Sequence, residues 1–463
     1  MAEGISSYDI VVLGGGSGGY ACALRAAELG KRVALIEKDK VGGTCLHRGC
    51  IPTKALLHAA EVADQSRESA KFGIKTTFEG VEMPGVLSYQ ESVVDRLWKG
   101  LQSTIASRKI DTVIGDGRLV SPTSVRVGDT VYEADHVVLA TGSEPRSLPG
   151  LEIDGSRVIT SDDALRLDRV PGSVIILGGG VIGVEFASVW RSFGADVTIV
   201  EMLPQLLPLE DESSAKMLQR MFRRRGISFQ LNTMFESVKH SDAGVTVTLA
   251  GGKTLDAELL LVAVGRGPVS AGLGYEENGV TLNRGFVMVD ELCRTGVPTI
   301  SAVGDLIVTP QLAHVGFAEG ILVAERVSGL DVHPIDYDGV PRITYSDPEV
   351  ASVGLTSAQV AERGLEIVEV NYPLGANGKS VILQTQGTAK VIAEADGSGP
   401  GRVLGVHLVG SRVGELIAEG QLIYNWDAEP ADVAQLIHPH PTQSEIIGEA
   451  HLALAGKPLH FHA

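Results

Sequence analysis

At 463 residues, with 44% hydrophobic and 5% aromatic content, the chain is too long for one core and reads as about three ordinary globular domains. A net charge of −18 with no basic block argues against nucleic acid and against an anionic membrane surface as partners. Four cysteines exclude a disulfide framework, the longest apolar run is too short and glycine-rich to span a bilayer, and Met1-Ala2-Glu3-Gly4 carries no basic n-region, so a reducing, cytoplasmic setting is expected.

Tyr8 to Leu13 reads as a buried parallel strand. Gly14, Gly16 and Gly19 then form a G-x-G-x-x-G, and an Ala-rich helix runs to Gly30, a C-cap residue. The next strand, Arg32 to Ile36, ends in Glu37. Glycines permit a tight turn and let a pyrophosphate approach the helix N-terminus, while the acid accepts from ribose hydroxyls. Strand, glycines, helix, strand and acid in register make a dinucleotide-binding unit.

The stretch from Gly42 to Lys54 follows, with Cys45 and Cys50 five apart among glycines. Pro52 fits a first helical turn. That places Cys50 at a helix N-terminus, where the dipole lowers a thiol pKa. Lys54, four residues on, shares its helix face. A bridge across so small a loop would stabilise the fold by only about 2 kcal/mol. A bridge that staples weakly is better read as one that opens and closes. Free buried thiols remain the bland alternative, and no second Cys or His pair at ligand spacing points to a metal.

Glu61 to Arg108 reads as helices interrupted near Gly80 to Pro84. Val137 to Pro145, an apolar strand running into a small-residue turn, marks a domain boundary. The dinucleotide unit then recurs: Val174 to Leu177, then Gly178, Gly180 and Gly183, a helix ending near Gly194, and Val197 to Glu201. The last glycine precedes the acid by 18 residues in both copies, 19 to 37 and 183 to 201. Two units imply two dinucleotides. The cysteine pair begins eight residues after Glu37, so the first unit carries the cofactor that exchanges electrons with it. A flavin can deal with both a disulfide and a hydride, so FAD is expected in the first unit and a nicotinamide in the second. Glu201, followed by Met202-Leu203-Pro204-Gln205 with no Arg or Lys, selects NAD over NADP.

Leu259 to Pro268 closes the second unit in the manner of Val137 to Pro145. Thr295 to Asp305 is another apolar strand entering a Gly-Asp turn, whose Asp305 can accept from a polyol. From about Pro341 alternating strands appear, Thr388 to Ala393 and Val403 to Val409, joined through Asp396 to Gly401 as a loose hairpin. Helices are expected near Val413 to Trp426 and Pro430 to Leu436, giving an α+β domain suited to dimerisation. Near the end, Thr442 and Glu445 read as a capping box for the last helix. Glu445 can also reach His440, fix its tautomer and stabilise its cation, an arrangement for acid–base chemistry. His438, His451, His460 and His462 read as surface or packing residues.

Together these features resemble the flavoprotein disulfide reductases over essentially the whole chain, and within them the branch that oxidises dihydrolipoamide. The redox stretch matches G-G-T-C-x-x-x-x-G-C-I-P-[ST]-K, and Gly265-Arg266-x-Pro268 matches the end of the family's NAD domain. Ala140-Thr141-Gly142, Ala302-x-Gly304-Asp305 and Gln311-Leu312-Ala313-His314 match its flavin segments, and His440-Pro441-Thr442 with Glu445 its base motif. The resemblance implies an α/β fold with two Rossmann-like dinucleotide-binding domains, for FAD and NAD, plus a C-terminal α+β dimerisation domain. The boundaries expected are 1–145 and 271–340 for FAD, 146–270 for NAD and 341–463 for the interface.

The resemblance adds flavin contacts at Thr44, Lys54, Gly117, Thr141, Gly142, Ser143, Asp305, Ala313 and His314 to those of the first glycine loop. For NAD it adds Glu185 and Gly265 to the second loop. It implies that His440, held by Glu445, deprotonates dihydrolipoamide on its carrier. Cys45 is then the interchange sulfur and Cys50 the one against the flavin, with Lys54 paired to Glu185. It further implies a homodimer whose base comes from the other subunit. The carrier would be a lipoylated acyltransferase or the glycine-cleavage carrier protein.

The departures are His47-Arg48, where Asn-Val is common, and Val269, where many relatives have Asn. The first is expected to shift redox poise. A glutathione- or mycothiol-type reductase would need basic residues after Glu201, and a mercuric or thioredoxin reductase extra C-terminal cysteines. A non-catalytic flavin-binding subunit predicts loss of a cysteine or of the base.

Overall fold

The computed structural model describes residues 5–241, 244–395, 397 and 399–460. Met1 to Gly4, Asp396, Ser398 and His462 lie outside the described residues. Strand Ile5–Leu13 sits at the centre of the first sheet, parallel to Val33–Glu37 on one side and Thr130–Leu139 on the other. Its apolar run is buried, with helix Ser17–Glu28 packed against the strand and strand Gly117–Ser121 laid over Leu13 and Ile36. Helix Ser17–Glu28 packs along helix Ala313–Val327, and strand Ile300–Ala302 adds itself beside Thr130–Leu139. A segment far along the chain therefore completes the first unit.

The second unit repeats the plan with five parallel strands, in the order Ser228–Gln230, Asp196–Val200, Ser173–Leu177, Leu259–Val262, Val158–Ile159. The two exit turns that look alike in sequence meet in space: Ser143–Pro145 pairs antiparallel with Arg266–Pro268. The crossing between units is thus a two-stranded ribbon, and the chain enters and leaves the second unit side by side.

The third sheet has five antiparallel strands, Arg342–Thr344, Glu349–Gly354, Pro400–Gly410, Thr388–Ala395 and Ile367–Pro373. Both strands expected here run longer than their apolar cores, and the second expected helix stops early, at Pro430–Val433. Helices Val413–Asn425 and Glu445–Leu454 cover one face of this sheet. A buried ion pair joins it to the second unit. Lys390 Nζ lies 3.2 Å from Asp211 Oδ1, and Asp211 also accepts from the Ser213 and Ser357 N–H groups at 3.0 and 3.1 Å. Such a pair is tolerable because every remaining donor finds an acceptor: Lys390 also reaches Glu369 at 3.1 Å and Ser357 Oγ at 2.7 Å. No helix among the described residues is long and apolar enough to cross a membrane.

Three histidines are buried in these layers. Burial lowers the pKa of His136 and His451 to about 4, with the Arg326 cation adding to the effect at His136, and lowers that of His407. Their ordinary value is 6.5, so the unfolded chain binds these protons first as pH falls. The stability involved is fully present above pH 6.5 and is lost towards pH 4, at about 1.4 kcal/mol per pKa unit. The unfolding temperature should therefore drop across that window. His136→Leu should flatten the drop, and scanning calorimetry of the holoprotein from pH 7.5 to 4.5 checks it; an unaltered slope would mean that carboxylates alone govern acid stability.

Candidate active site

The two glycine loops are built alike. In the first, a side chain at Gly19 would place its Cβ 1.8 Å from the Gly14 carbonyl oxygen; in the second, one at Gly183 would place it 2.0 Å from that of Gly178. Gly14 and Gly178 adopt φ of +108° and +109°, and each lies against a carbonyl of the strand beyond, Ala140 or Ala263. Gly16 and Gly180 differ from these. Each is the N-cap of its helix, offers no side-chain cap, and has open space where a Cβ would be. Free N–H groups of a helix start then face a cradle with room for a pyrophosphate. The acids are matched too. Glu37 accepts from Gly15 and Asp39 N–H at 2.8 and 2.9 Å, and Glu201 from Gly179 and Leu203 N–H at 2.6 and 2.8 Å. A carboxylate has about four lone-pair sites, so each can still accept from a ribose. These residues fit two dinucleotides.

The redox stretch rests against the first loop. A Cβ at Gly43 would lie 2.6 Å from Gly16 Cα, which brings helix Gly43–Arg48 up to the cradle. Helix Cys50–Glu68 follows at once, so Cys50 is its first residue, as the Pro52 spacing predicts. The two thiols are in hydrogen-bond contact. That bond lowers the Cys50 pKa, helped by the Lys54 cation and opposed by burial and Glu185. The same bond, together with burial, pushes Cys45 up. Cys50 is thus the sulfur that carries charge in the reduced pair. Cys22 and Cys293 are buried, and burial raises both to about 12, which leaves them poor nucleophiles.

Lys54 Nζ bonds both oxygens of Glu185 at 2.9 Å, and its ammonium lies 4.6 Å from the centre of the Tyr345 ring. Tyr345 N–H donates to the same carboxylate at 2.9 Å. Burial opposes the Lys54 cation, but Glu185 more than compensates, so the Lys54 pKa is raised. Glu185, expected both as the partner of Lys54 and at the second loop, makes the Lys54 pair and so ties the second unit to the redox helix. His47 and Arg48 touch neither thiol in the hydrogen-bond network. His47 donates to the Val41 carbonyl at 3.0 Å and sits edge-on to Trp98, while Arg48 pairs with Asp39. They brace the turn between Glu37 and the thiols.

Of the remaining residues expected at the flavin, Thr141, Ser143 and Asp305 meet at the ribbon between units. Ser143 Oγ donates to Asp305 Oδ2 at 2.5 Å, and Thr141 Oγ1 donates to the Val269 carbonyl at 2.6 Å. Gly142 and Gly265 have open space around them. Gly117 has a packing reason to lack a side chain, since a Cβ there would lie 2.5 Å from Leu13 Cδ1. Ala313 opens helix Ala313–Val327, and His314 Nε2 reaches the Pro341 carbonyl at 2.9 Å. Sequence reasoning missed Arg266 as part of this group. It donates to Ser143 Oγ and to the Ser143 carbonyl at 2.8 and 2.7 Å, and reaches Thr44 Oγ1 at 3.4 Å. Its place in the Gly265-Arg266-x-Pro268 motif was the available signal. Tyr345 left none, because its partners lie far away in the chain.

His440 Nδ1–H donates to Glu445 Oε1 at 2.8 Å, which leaves Nε2 free as a base. Burial works against the Glu445 carboxylate, but bonds from His440 and from Thr442 N–H, the latter at 2.8 Å, hold its pKa below the usual value. The expected capping box forms only in part. The Thr442 hydroxyl is spent on the Pro439 carbonyl at 2.7 Å, and Ser444, at the N-cap position of the last helix, makes no side-chain capping bond. The imidazole is 76% exposed and bonds neither cysteine within the chain.

The model of the pyridine nucleotide-disulphide oxidoreductase family matches residues 8–320, and that of the family's dimerisation domain matches residues 340–451. The chain belongs to this family. As a pyridine nucleotide-disulphide oxidoreductase it is a redox enzyme whose cofactors are FAD and NAD. Among its relatives, "Dihydrolipoyl dehydrogenase" of Bacillus subtilis is 41% identical, covering 98% of this chain and all of the relative. The mitochondrial "Dihydrolipoyl dehydrogenase" of Pisum sativum is 37% identical, covering 99% and 94%. The solved structure of LpdA from Mycobacterium tuberculosis superposes with a TM-score of 0.90 at 28% identity, over 96% of this chain and 99% of that one.

Two outcomes test this geometry. In the reduced protein, alkylation by iodoacetamide should fall first on Cys50, with a midpoint below that of an ordinary thiol, and Lys54→Met should raise that midpoint; peptide mass spectrometry across pH reads both. Labelling first at Cys45 would reverse the assignment of charge. Gly180→Val should leave the melting temperature within a few degrees yet weaken NADH binding at least tenfold, because the cradle is open and the backbone extended. Gly183→Val should impair folding itself.

Proposed function

We propose that the chain oxidises protein-bound dihydrolipoamide with NAD⁺, the activity of a dihydrolipoyl dehydrogenase. The observation that carries this reading is the thiol pair at a helix start, with its charge on Cys50 beside Lys54. The full-length relatives of that name support the substrate. In this reading residues 1–145 and 271–340 hold FAD, 146–270 hold NAD and 341–463 form the interface.

His440 Nε2 takes the proton of a substrate thiol, and Glu445 holds the resulting imidazolium at Nδ1. The substrate thiolate attacks Cys45 Sγ of the oxidised pair, breaking the Cys45–Cys50 bond and releasing Cys50 as thiolate. The second substrate sulfur displaces Cys45, so the substrate leaves as a disulfide and the protein keeps two electrons as a dithiol. Helix start and Lys54 stabilise the Cys50 thiolate. The chemistry a bound FAD would supply at the first glycine loop is a route for this electron pair from the dithiol to NAD⁺. Thr44, Thr141, Ser143 and Asp305, tied together through Arg266 and the ribbon, would hold FAD with the first glycine loop.

The dimer supplies what one chain lacks. His440 is exposed, and so are Trp426, Leu436 and Ile437, at 74%, 59% and 97%. A second copy covering this face would bury apolar surface and bring each base to the other chain's thiols. A lipoylated acyltransferase or the glycine-cleavage carrier protein would present the substrate, in the cytoplasm, where free thiols persist.

His440→Gln should lower dihydrolipoamide oxidation at least a hundredfold while NADH-to-dye transfer stays within about twofold. Steady-state assays of both reactions decide it, and equal losses would remove His440 from the role of base. Cys45→Ser should abolish dihydrolipoamide oxidation while flavin content, read from absorbance, is retained.

A further inference from the structure

Behind the base-bearing turn lies a second histidine–carboxylate pair that the proposed chemistry does not use. His438 Nε2–H donates to Glu419 Oε1 at 2.8 Å. Glu419 belongs to helix Val413–Asn425, whereas His438 lies in the irregular stretch just before His440. The His438 side chain is 12% exposed, against 76% for His440. Its other edge is seated on the last helix: a Cβ added at Gly448 would come within 2.5 Å of His438 Nδ1. Gly448 follows Glu445 by three residues, so the seat of this ring and the carboxylate that holds the base share a helix face.

The charged and titratable groups facing His438 are Glu419 from the preceding helix, and Glu445 and His451 from the last helix. The hydrogen bond to Glu419 is the largest influence. It and the two carboxylate charges outweigh burial, so the pKa of His438 is raised. His451 is wholly buried and donates Nδ1–H to the Ile447 carbonyl at 2.7 Å; burial lowers its pKa, so His438 is the more basic of the two rings. A reading of His438 as a surface or packing residue does not account for a near-buried imidazole held from both sides.

We propose that His438 and Glu419 are positioning residues for His440. The pair clamps the stretch from His438 to Thr442 between two helices and so sets where His440 Nε2 points. The proposal rests on the reading of His440 as the base.

The test uses the holoenzyme with His438→Gln, Glu419→Gln and both together, and follows dihydrolipoamide oxidation against pH with NADH-to-dye transfer as the control. Each single variant should lower kcat for dihydrolipoamide roughly tenfold to thirtyfold and displace the acid limb of its pH profile. The double variant should be no worse than the worse single, and dye transfer should stay within about twofold. In a His440→Gln background, His438→Gln should cost nothing further. Unchanged kcat and pH profile in both singles would overturn the proposal, and so would a loss shared by dye transfer or flavin content, which marks a merely structural role. If His440→Gln itself retains dihydrolipoamide oxidation, the base assignment falls; if it does not but His438→Gln is silent, only the clamp falls.

Discussion

The ion pair between Lys54 and Glu185 is where the three parts of the chain meet. Lys54 comes from the redox helix, Glu185 from the helix after the second glycine loop, and the Tyr345 N–H and ring from the third sheet. Breaking such a pair strands a buried carboxylate, at a cost of about 3–5 kcal/mol. The second unit is thereby pinned to the helix that starts at Cys50. The same ammonium lowers the Cys50 pKa, so one contact serves both cohesion and reactivity.

The duplicated glycine loop shows how one local solution supports two sites. Close approach of Gly19 to Gly14, and of Gly183 to Gly178, bends each helix back on its strand. The acid at the end of the following strand then locks the loop by accepting its N–H group. What differs is the company each loop keeps. The first is joined by Gly43 and the thiols; the second is roofed by Leu206, whose side chain lies against Gly179. Chemistry was added to one copy and not to the other.

Much of this was legible because the signals are local. Strand, glycine spacing and terminal acid lie within about thirty residues, and Cys45, Cys50, Pro52 and Lys54 within ten. His440 and Glu445 are five apart, and their bond could be anticipated from that spacing. The capping box was over-read, because the Thr442 hydroxyl had a competing acceptor in the Pro439 carbonyl. His438 was under-read, because its partner Glu419 sits on another helix 19 positions away. The clamp by Arg266 on Ser143 needs two exit turns to pair as strands, which neither turn announces.

The amino-acid sequence by itself determined the two dinucleotide units, the redox pair with its helix start, and the residue types of the base. Each depends on backbone conformation or charge over one or two turns. Only the tertiary structure decided that Tyr345 covers the Lys54–Glu185 pair, that Arg266 clamps Ser143, and that His47 and Arg48 brace a turn instead of facing the sulfurs. Those outcomes depend on which surfaces are brought together when distant segments pack, and burial then fixes which partner each charge must take.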